Sequence, residues 1–161
     1  MERSPILEAL EGDGDFLDIG CANGHLLECL VDWAAERGIN LIPHGIDIGG
    51  RLIKVARTRM PRFAPNFQVA NGWDWRPDRR FRYVYTLSDC VPAQNLREYV
   101  ERLLIRIVEP SGRLIIGAYG SRSRGQPPLP VADVLQSFGL PVAGRTTGGE
   151  PPITEFAWLG N

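Results

Sequence analysis

Nowhere in the 161 residues do eighteen apolar positions run together, so the sequence contains no membrane-spanning helix. The opening stretch MERSPILEAL lacks the apolar centre of a secretory signal. Cysteine is scarce: Cys21, Cys29 and Cys90 are odd in number and form no CxxC pair, which excludes a disulfide frame and a zinc site. They read as small buried hydrophobes of a protein kept in a reducing compartment, the cytoplasm. Histidine occurs only at positions 25 and 44, and no GK[ST] follows a glycine-rich turn, so a Walker-type phosphate loop is absent. Internal repeats, low-complexity tracts and linkers are also missing, and residues 1–161 are of a length to form one domain with its own core.

The net charge of −1 argues against a protein that coats nucleic acid, but the charge is unevenly spread. The first forty residues carry nine acids against Arg3 and Arg37, whereas residues 49–82 carry nine bases against Asp74 and Asp78. Arg51, Lys54 and Arg57 recur at three-residue spacing, as on the wet face of a helix; a polyanion-binding patch is the alternative.

Short apolar runs alternate with helical patterns. Strands are expected at 16–19, 41–46, 66–70, 81–87, 113–119, 141–147 and 153–159. Helices are expected over 24–37, 50–60, about 96–108 and 131–138, after a short N-terminal helix at about 4–10. Leu26, Leu27, Leu30, Val31 and Ala34 mark the buried side of the first long helix, and Gly38 its stop. Asn95 with Glu98 reads as a capping pair, and EPSG (109–112) as a turn. Only eleven residues separate the third and fourth strands, room for a turn or two of helix. The order β-α-β-α-β-β-α-β-α-β-β predicts a doubly wound, mostly parallel seven-stranded α/β sheet with helices on both faces. The last strand has no crossover helix before it and must return antiparallel. Ligands on such sheets bind beyond the carboxyl ends of the strands, which directs attention to the loops after Ile19, Ile46, Ala70 and Leu87.

The first of these loops follows FLDIGCANGHLL (16–27). Gly20, Ala22 and Gly24 allow close approach of a ligand to the backbone. The dinucleotide pattern GxGxxG fails at two of its three positions, where Ala22 and His25 stand. Asp18 adds a carboxylate that would oppose a pyrophosphate by about 1–4 kcal/mol at 4 Å. A ligand with a cationic end and no phosphate fits better. DIGCANG (18–24) resembles the first motif, [DE]xGxGxG, of the class I S-adenosylmethionine-dependent methyltransferases, with Ala22 for the middle glycine. The resemblance extends over essentially the whole chain, including the antiparallel last strand.

It implies S-adenosyl-L-methionine as cofactor, with S-adenosyl-L-homocysteine as product. The implied contacts are Asp18, Gly20, Cys21, Ala22 and Gly24 in the first loop. Asp47 of HGIDI (44–48) would accept from the ribose hydroxyls, or else act as a helix N-cap, and Ile48 would touch adenine. In VANGW (69–73), Asn71 and Gly72 would serve the adenine amino group and ring, and Trp73 either stacks on it or packs internally. Leu87 and Ser88 of TLSDCVP (86–92) would meet the methionine part. VEPSGRLIIGAY (108–119) resembles the family's turn into its fifth strand. No metal is implied.

In-line methyl transfer from a sulfonium works largely by positioning, with a base needed only for a hydroxyl or protonated amine acceptor. His25, Asp89 and Tyr119 are the candidate bases. The missing NPPY-type sequence and the lack of an added recognition domain favour a small-molecule acceptor over nucleic acid. The lid is expected from the 120–130 loop, a partner chain or a further segment. The alternative function is a cofactor-binding protein without catalysis, acting as a regulator or partner subunit.

Overall fold

The computed structural model describes residues 2–160. Seven strands form one sheet: β1 (Gly14–Ile19), β2 (Leu41–Asp47), β3 (Phe67–Val69), β4 (Phe81–Leu87), β5 (Val108–Tyr119), β6 (Val142–Gly148) and β7 (Thr154–Gly160). Their spatial order is β3-β2-β1-β4-β5-β7-β6. β1 to β5 pair in parallel, and β7 runs antiparallel to both β5 and β6. The order of strands reverses beside β1, and a crevice opens there at the carboxyl ends of β1, β2 and β4.

Alternation along the strands divides the core into two layers. Phe16, Tyr83, Tyr85 and Ile115 point to the face covered by α1 (His25–Glu36), α2 (Gly50–Arg59) and an N-terminal 3-10 segment, Ser4–Ala9. Leu17, Val84, Leu114 and Ile116 point to the other face, under α3 (Leu96–Arg106) and α4 (Val131–Ser137). Strands covered on both faces read as near-continuous apolar runs, which is why 16–19 and 113–119 stood out in the sequence. α1 buries Leu27, Leu30 and Ala34, while Leu26 and Val31 are half-buried. Gly38, at φ +76°, reverses the chain after it.

Several elements differ in detail. The N-terminal helix is a 3-10 helix, whose bonds span three residues, as from the N–H of Ile6 to the carbonyl of Arg3 at 3.2 Å. Asn95 stands at the N-cap of α3 but makes no side-chain capping bond, because the 3-10 turn Ala93–Asn95 leads directly into the helix. Glu98 pairs instead with Arg102 at 2.9 Å. The EPSG turn lies inside β5 as a bulge: Phe81 pairs with Val108, but Tyr83 already pairs with Arg113. The cysteines are not uniformly buried; Cys21 is, Cys29 is half-buried and Cys90 is exposed. Residues 70–80 carry no helix, so the crossover from β3 to β4 passes two strands as a loop.

Among the described residues no helix is long and apolar enough to cross a membrane. No group of three or more His, Cys, Asp or Glu side chains among them could hold a metal ion.

The segment before β1 is anchored from the sheet. The Tyr83 hydroxyl donates to the carbonyl of Gly12 at 2.9 Å and accepts from the N–H of Glu11 at 3.0 Å. Tyr83→Phe should therefore cost about 1–3 kcal/mol in urea unfolding, by leaving two backbone groups without their partner, with the rest of the fold unchanged.

Candidate functional site

The turn after β1 is built to bring backbone N–H groups to the carboxyl edge of the sheet. Gly20 and Cys21 both donate to the carbonyl of Ile46, at 2.8 and 3.0 Å. Gly20, Ala22 and Gly24 all have positive φ (86°, 49° and 74°), a conformation that costs L side chains energy and glycine nothing. A Cβ added at Gly20 would meet only the Cys90 Sγ, at 3.3 Å, so the space beside it opens toward the cleft. Gly24 serves packing: its Cβ would lie 3.0 Å from that of Ala56, which lets α1 and α2 approach.

Asp47, at the end of β2, latches this turn to the next. Its Oδ2 accepts from the N–H of Ala22 at 2.9 Å, and its Oδ1 from the N–H of Gly49 at 2.7 Å. The N-cap of α2 is Gly49, so Asp47 is not a helix cap; it closes a two-residue side-chain turn ahead of the helix. Each carboxylate oxygen keeps a further lone pair for hydroxyl donors.

Asp18 is the unusual residue. It is 3% exposed and has no hydrogen-bond or ion-pair partner among the described residues. Burial first, and the charge of Asp47 second, raise its carboxyl from the ordinary 3.8 to about 7, against the opposing pull of the Arg3 guanidinium. Arg3 itself lies over the Tyr119 ring at 4.5 Å.

A cleft of about 500 Å³ opens beside this turn, walled by Gly20, Asp47, Ile48, Asn71, Gly72 and Trp73. Six of the twelve expected contact residues are thus brought together around one space. Ile48 presents an apolar side chain that is 75% exposed, suited to the face of a planar ring. The Oδ1 of Asn71 accepts from the N–H of Trp73 at 3.0 Å, shaping the loop, and has one lone pair left. Trp73 stacks on Tyr99 (6.1 Å, 19°), with the Arg102 guanidinium 4.2 Å from its ring. Its place is fixed by packing, and it lines the cleft from that position.

Other expected residues stand differently. The Cys21 Sγ turns under β2, where a Cβ on Gly45 would lie 2.7 Å from it, so only its backbone faces the turn. Burial, together with Asp18 and Asp47, raises its thiol pKa. Ala22 acts through its N–H. Leu87 ends β4 and Ser88 follows it, both half-buried and outside the walls of this cleft, and the Ser88 N–H is engaged by the carbonyl of Gly117 at 2.8 Å. Of the candidate bases, His25 is exposed and faces Glu28 (3.7 Å) and Cys29 on α1, away from the cleft. Burial raises the Tyr119 phenol, which shares a 2.7 Å hydrogen bond with Tyr85, so it is neutral and no base. Asp89 is exposed on the loop after β4.

The sequence reading missed four cleft residues, Ile19, Ala70, Cys90 and Tyr99. Tyr99 appeared only as an apolar position of a helix, and nothing in the helical period marks a side chain that reaches the end of the sheet.

The architecture has many counterparts among solved structures. The N-methyltransferase NodS from Bradyrhizobium japonicum WM9, solved with S-adenosyl-L-homocysteine, superimposes with a TM-score of 0.71 over 96% of this chain and 81% of its own, at 17% identity. The glycopeptide N-methyltransferase MtfA gives 0.72 over 97% and 87%, at 13% identity. A methyltransferase from Geobacter sulfurreducens, also with S-adenosyl-L-homocysteine, gives 0.60 over 90% and 64%, at 21% identity. The chain has the class I methyltransferase fold. No protein-family model and no curated protein sequence matches it. Within the methyltransferase fold, Asp18, Asp47 and the 70–73 loop occupy the carboxyl edge of β1, β2 and β3.

The raised pKa of Asp18 has a stability consequence. Because the folded value, about 7, exceeds the unfolded one, the contribution is fully present below about pH 4 and is lost as pH climbs through 7. Asp18→Asn should remove that part of the decline, raising the melting temperature at pH 8 more than at pH 5. Parallel curves for the two proteins would contradict the burial of an unpaired carboxyl.

Proposed function

We propose that the protein is an S-adenosylmethionine-dependent methyltransferase of the cytoplasm, with residues 1–161 as one catalytic domain and a small molecule as methyl acceptor. The observation that carries this reading is the buried Asp18 carboxyl, without a hydrogen-bond partner among the described residues, beside an open glycine turn. A buried carboxylate is costly without a counter-ion, and a cationic ligand group supplies one. The same carboxylate repels a pyrophosphate, which counts against a dinucleotide. The cofactor brings a sulfonium-activated methyl group together with an ammonium, a ribose and an adenine. Asp18 would take the ammonium, Asp47 the ribose hydroxyls through its free lone pairs, and Ile48 and Trp73 the flanks of the adenine.

The chain's own contribution to transfer is orientation. The rigid turn at 20–24 and the Asp47 latch would hold the cofactor so that its methyl points past the loop after β4, where the acceptor approaches in line. If the acceptor carries a proton to be removed, Asp89 is the remaining candidate, since His25 faces away and Tyr119 is neutral. Two of the similar structures are N-methyltransferases, one of them acting on a glycopeptide, which makes a nucleophilic nitrogen the first acceptor class to screen.

Calorimetry separates this reading from a dinucleotide one. S-adenosyl-L-homocysteine should bind with a dissociation constant near micromolar, about 8 kcal/mol, and NADH should not. Preference for NADH would overturn the proposal. Binding should also tighten as pH rises from 5.5 toward 8, by up to about tenfold per unit below 7, because the ammonium requires the ionised form of Asp18.

Asp47→Ala should weaken the same ligand by about 10- to 100-fold, the worth of hydrogen bonds to a charged group. It should also cost about 1–3 kcal/mol in stability, since the N–H groups of Ala22 and Gly49 lose their acceptor. Unchanged affinity in a folded variant would place the ribose elsewhere.

A further inference from the structure

The crossover loop 70–80 walls two cavities. Its first half, Ala70 to Trp73, lines the cleft described above; its second half, from Trp75 onward, lines a separate space of about 460 Å³. This second cavity exists because no helix covers β2 and β3 on that face of the sheet. Leu17 and Phe81 belong to its lining, and the half-buried Trp75 stacks on Phe81 at 6.2 Å and 28°.

Three polar groups converge there. His44 of β2 meets Phe81 edge-on (5.0 Å, 67°), and its Nε2 lies 2.8 Å from Oδ1 of Asp15. A carboxylate only accepts, so Nε2 carries the ring's proton. Burial lowers the affinity of the imidazole for a second one, which leaves Nδ1 a bare acceptor. The amide of Gln68, on the edge strand β3, is exposed and has no partner among the described residues. The Arg76 guanidinium is likewise exposed and unpartnered among them, whereas Arg79 is held by Asp15. Asp78 is an acid of the lining, and the segment 49–82, which supplies most of that lining, carries nine bases against Asp74 and Asp78.

An aromatic platform, an amide that both donates and accepts, a neutral imidazole acceptor and a cation at the rim form a set suited to a planar base bearing a phosphate. We propose that this cavity binds a nucleotide unit, with the base against Trp75, its edge at Gln68 and His44, and its phosphate at Arg76. The unit is either a free nucleotide or one residue of a single strand. The site is independent of the cofactor cleft and adjoins it through the shared loop.

The test follows the Trp75 indole N–H signal by NMR while S-adenosyl-L-homocysteine is present in excess. The probes are uridine 5′-monophosphate, uridine, ribose 5-phosphate and a short oligouridylate. Uridine monophosphate should shift the Trp75 signal and bind about tenfold or more tightly than either fragment, because base and phosphate are both engaged. Oligouridylate binding more tightly than the mononucleotide identifies a strand as the source; equal affinity identifies the free nucleotide. Trp75→Ala, followed by calorimetry because the indole signal is gone, should abolish the binding. Arg76→Glu, a surface change that leaves the core intact, should weaken it about tenfold. The proposal is overturned if the Trp75 signal does not move, if uridine binds as well as its monophosphate, or if Arg76→Glu binds like the parent. Failure of the cofactor reading would show separately, as cleft signals indifferent to S-adenosyl-L-homocysteine.

Discussion

A carboxyl group buried near the end of a central parallel strand, with no hydrogen-bond partner among the described residues, is the constraint around which this molecule's working edge is arranged. Asp18 lies within electrostatic reach of Asp47, and the Arg3 cation only partly opposes their repulsion. An isolated ionised carboxylate in such a place is costly, and proteins respond by pairing it or shifting its pKa. Here the pKa rises to about 7, so near neutrality the group is divided between a neutral acid and an anion. On the proposed reading, a cationic ligand resolves this tension, and the stability forgone in the free protein reappears as affinity for a positive charge.

The second carboxylate does different work. Asp47 is already bonded to the N–H groups of Ala22 and Gly49, and so holds the turns after β1 and β2 in fixed relation. Together with the bonds from Gly20 and Cys21 to Ile46, this makes the floor of the cleft a preformed network. A site whose groups are fixed beforehand loses less entropy when it orders a ligand. One residue therefore couples stability and binding, and the two effects of replacing it cannot be expected to separate.

Much of the architecture was legible in the sequence because it depends on local period and on the order of elements. The alternation of apolar runs with helical stripes placed all seven strands and four helices, and the lack of space before the last strand gave its direction. The boundaries that moved did so through tertiary effects. EPSG has turn chemistry and became a bulge, since β5 pairs on both sides of it with β4. Asn95 has capping chemistry and makes no cap, because a 3-10 turn precedes the helix. The glycine turn, Asp18 and Asp47 were visible as a pattern of residue types at the ends of strands. Cys90 and Tyr99 were not, since their arrival at the cleft depends on how α3 and its leading loop dock against the sheet. The second cavity was equally hidden: the crossover had room for a turn or two of helix and forms none, and composition does not report on the space left behind.

The most direct measurement of the central claim is a crystal structure of the protein with S-adenosyl-L-homocysteine at saturating concentration. The ligand is expected in the cleft beside Gly20, with its ribose hydroxyls on the Asp47 carboxylate, its amino group toward Asp18 and its adenine between Ile48 and the 71–73 loop. A cleft without ligand under those conditions, or a ligand bound with its adenine toward Asp18, would contradict it.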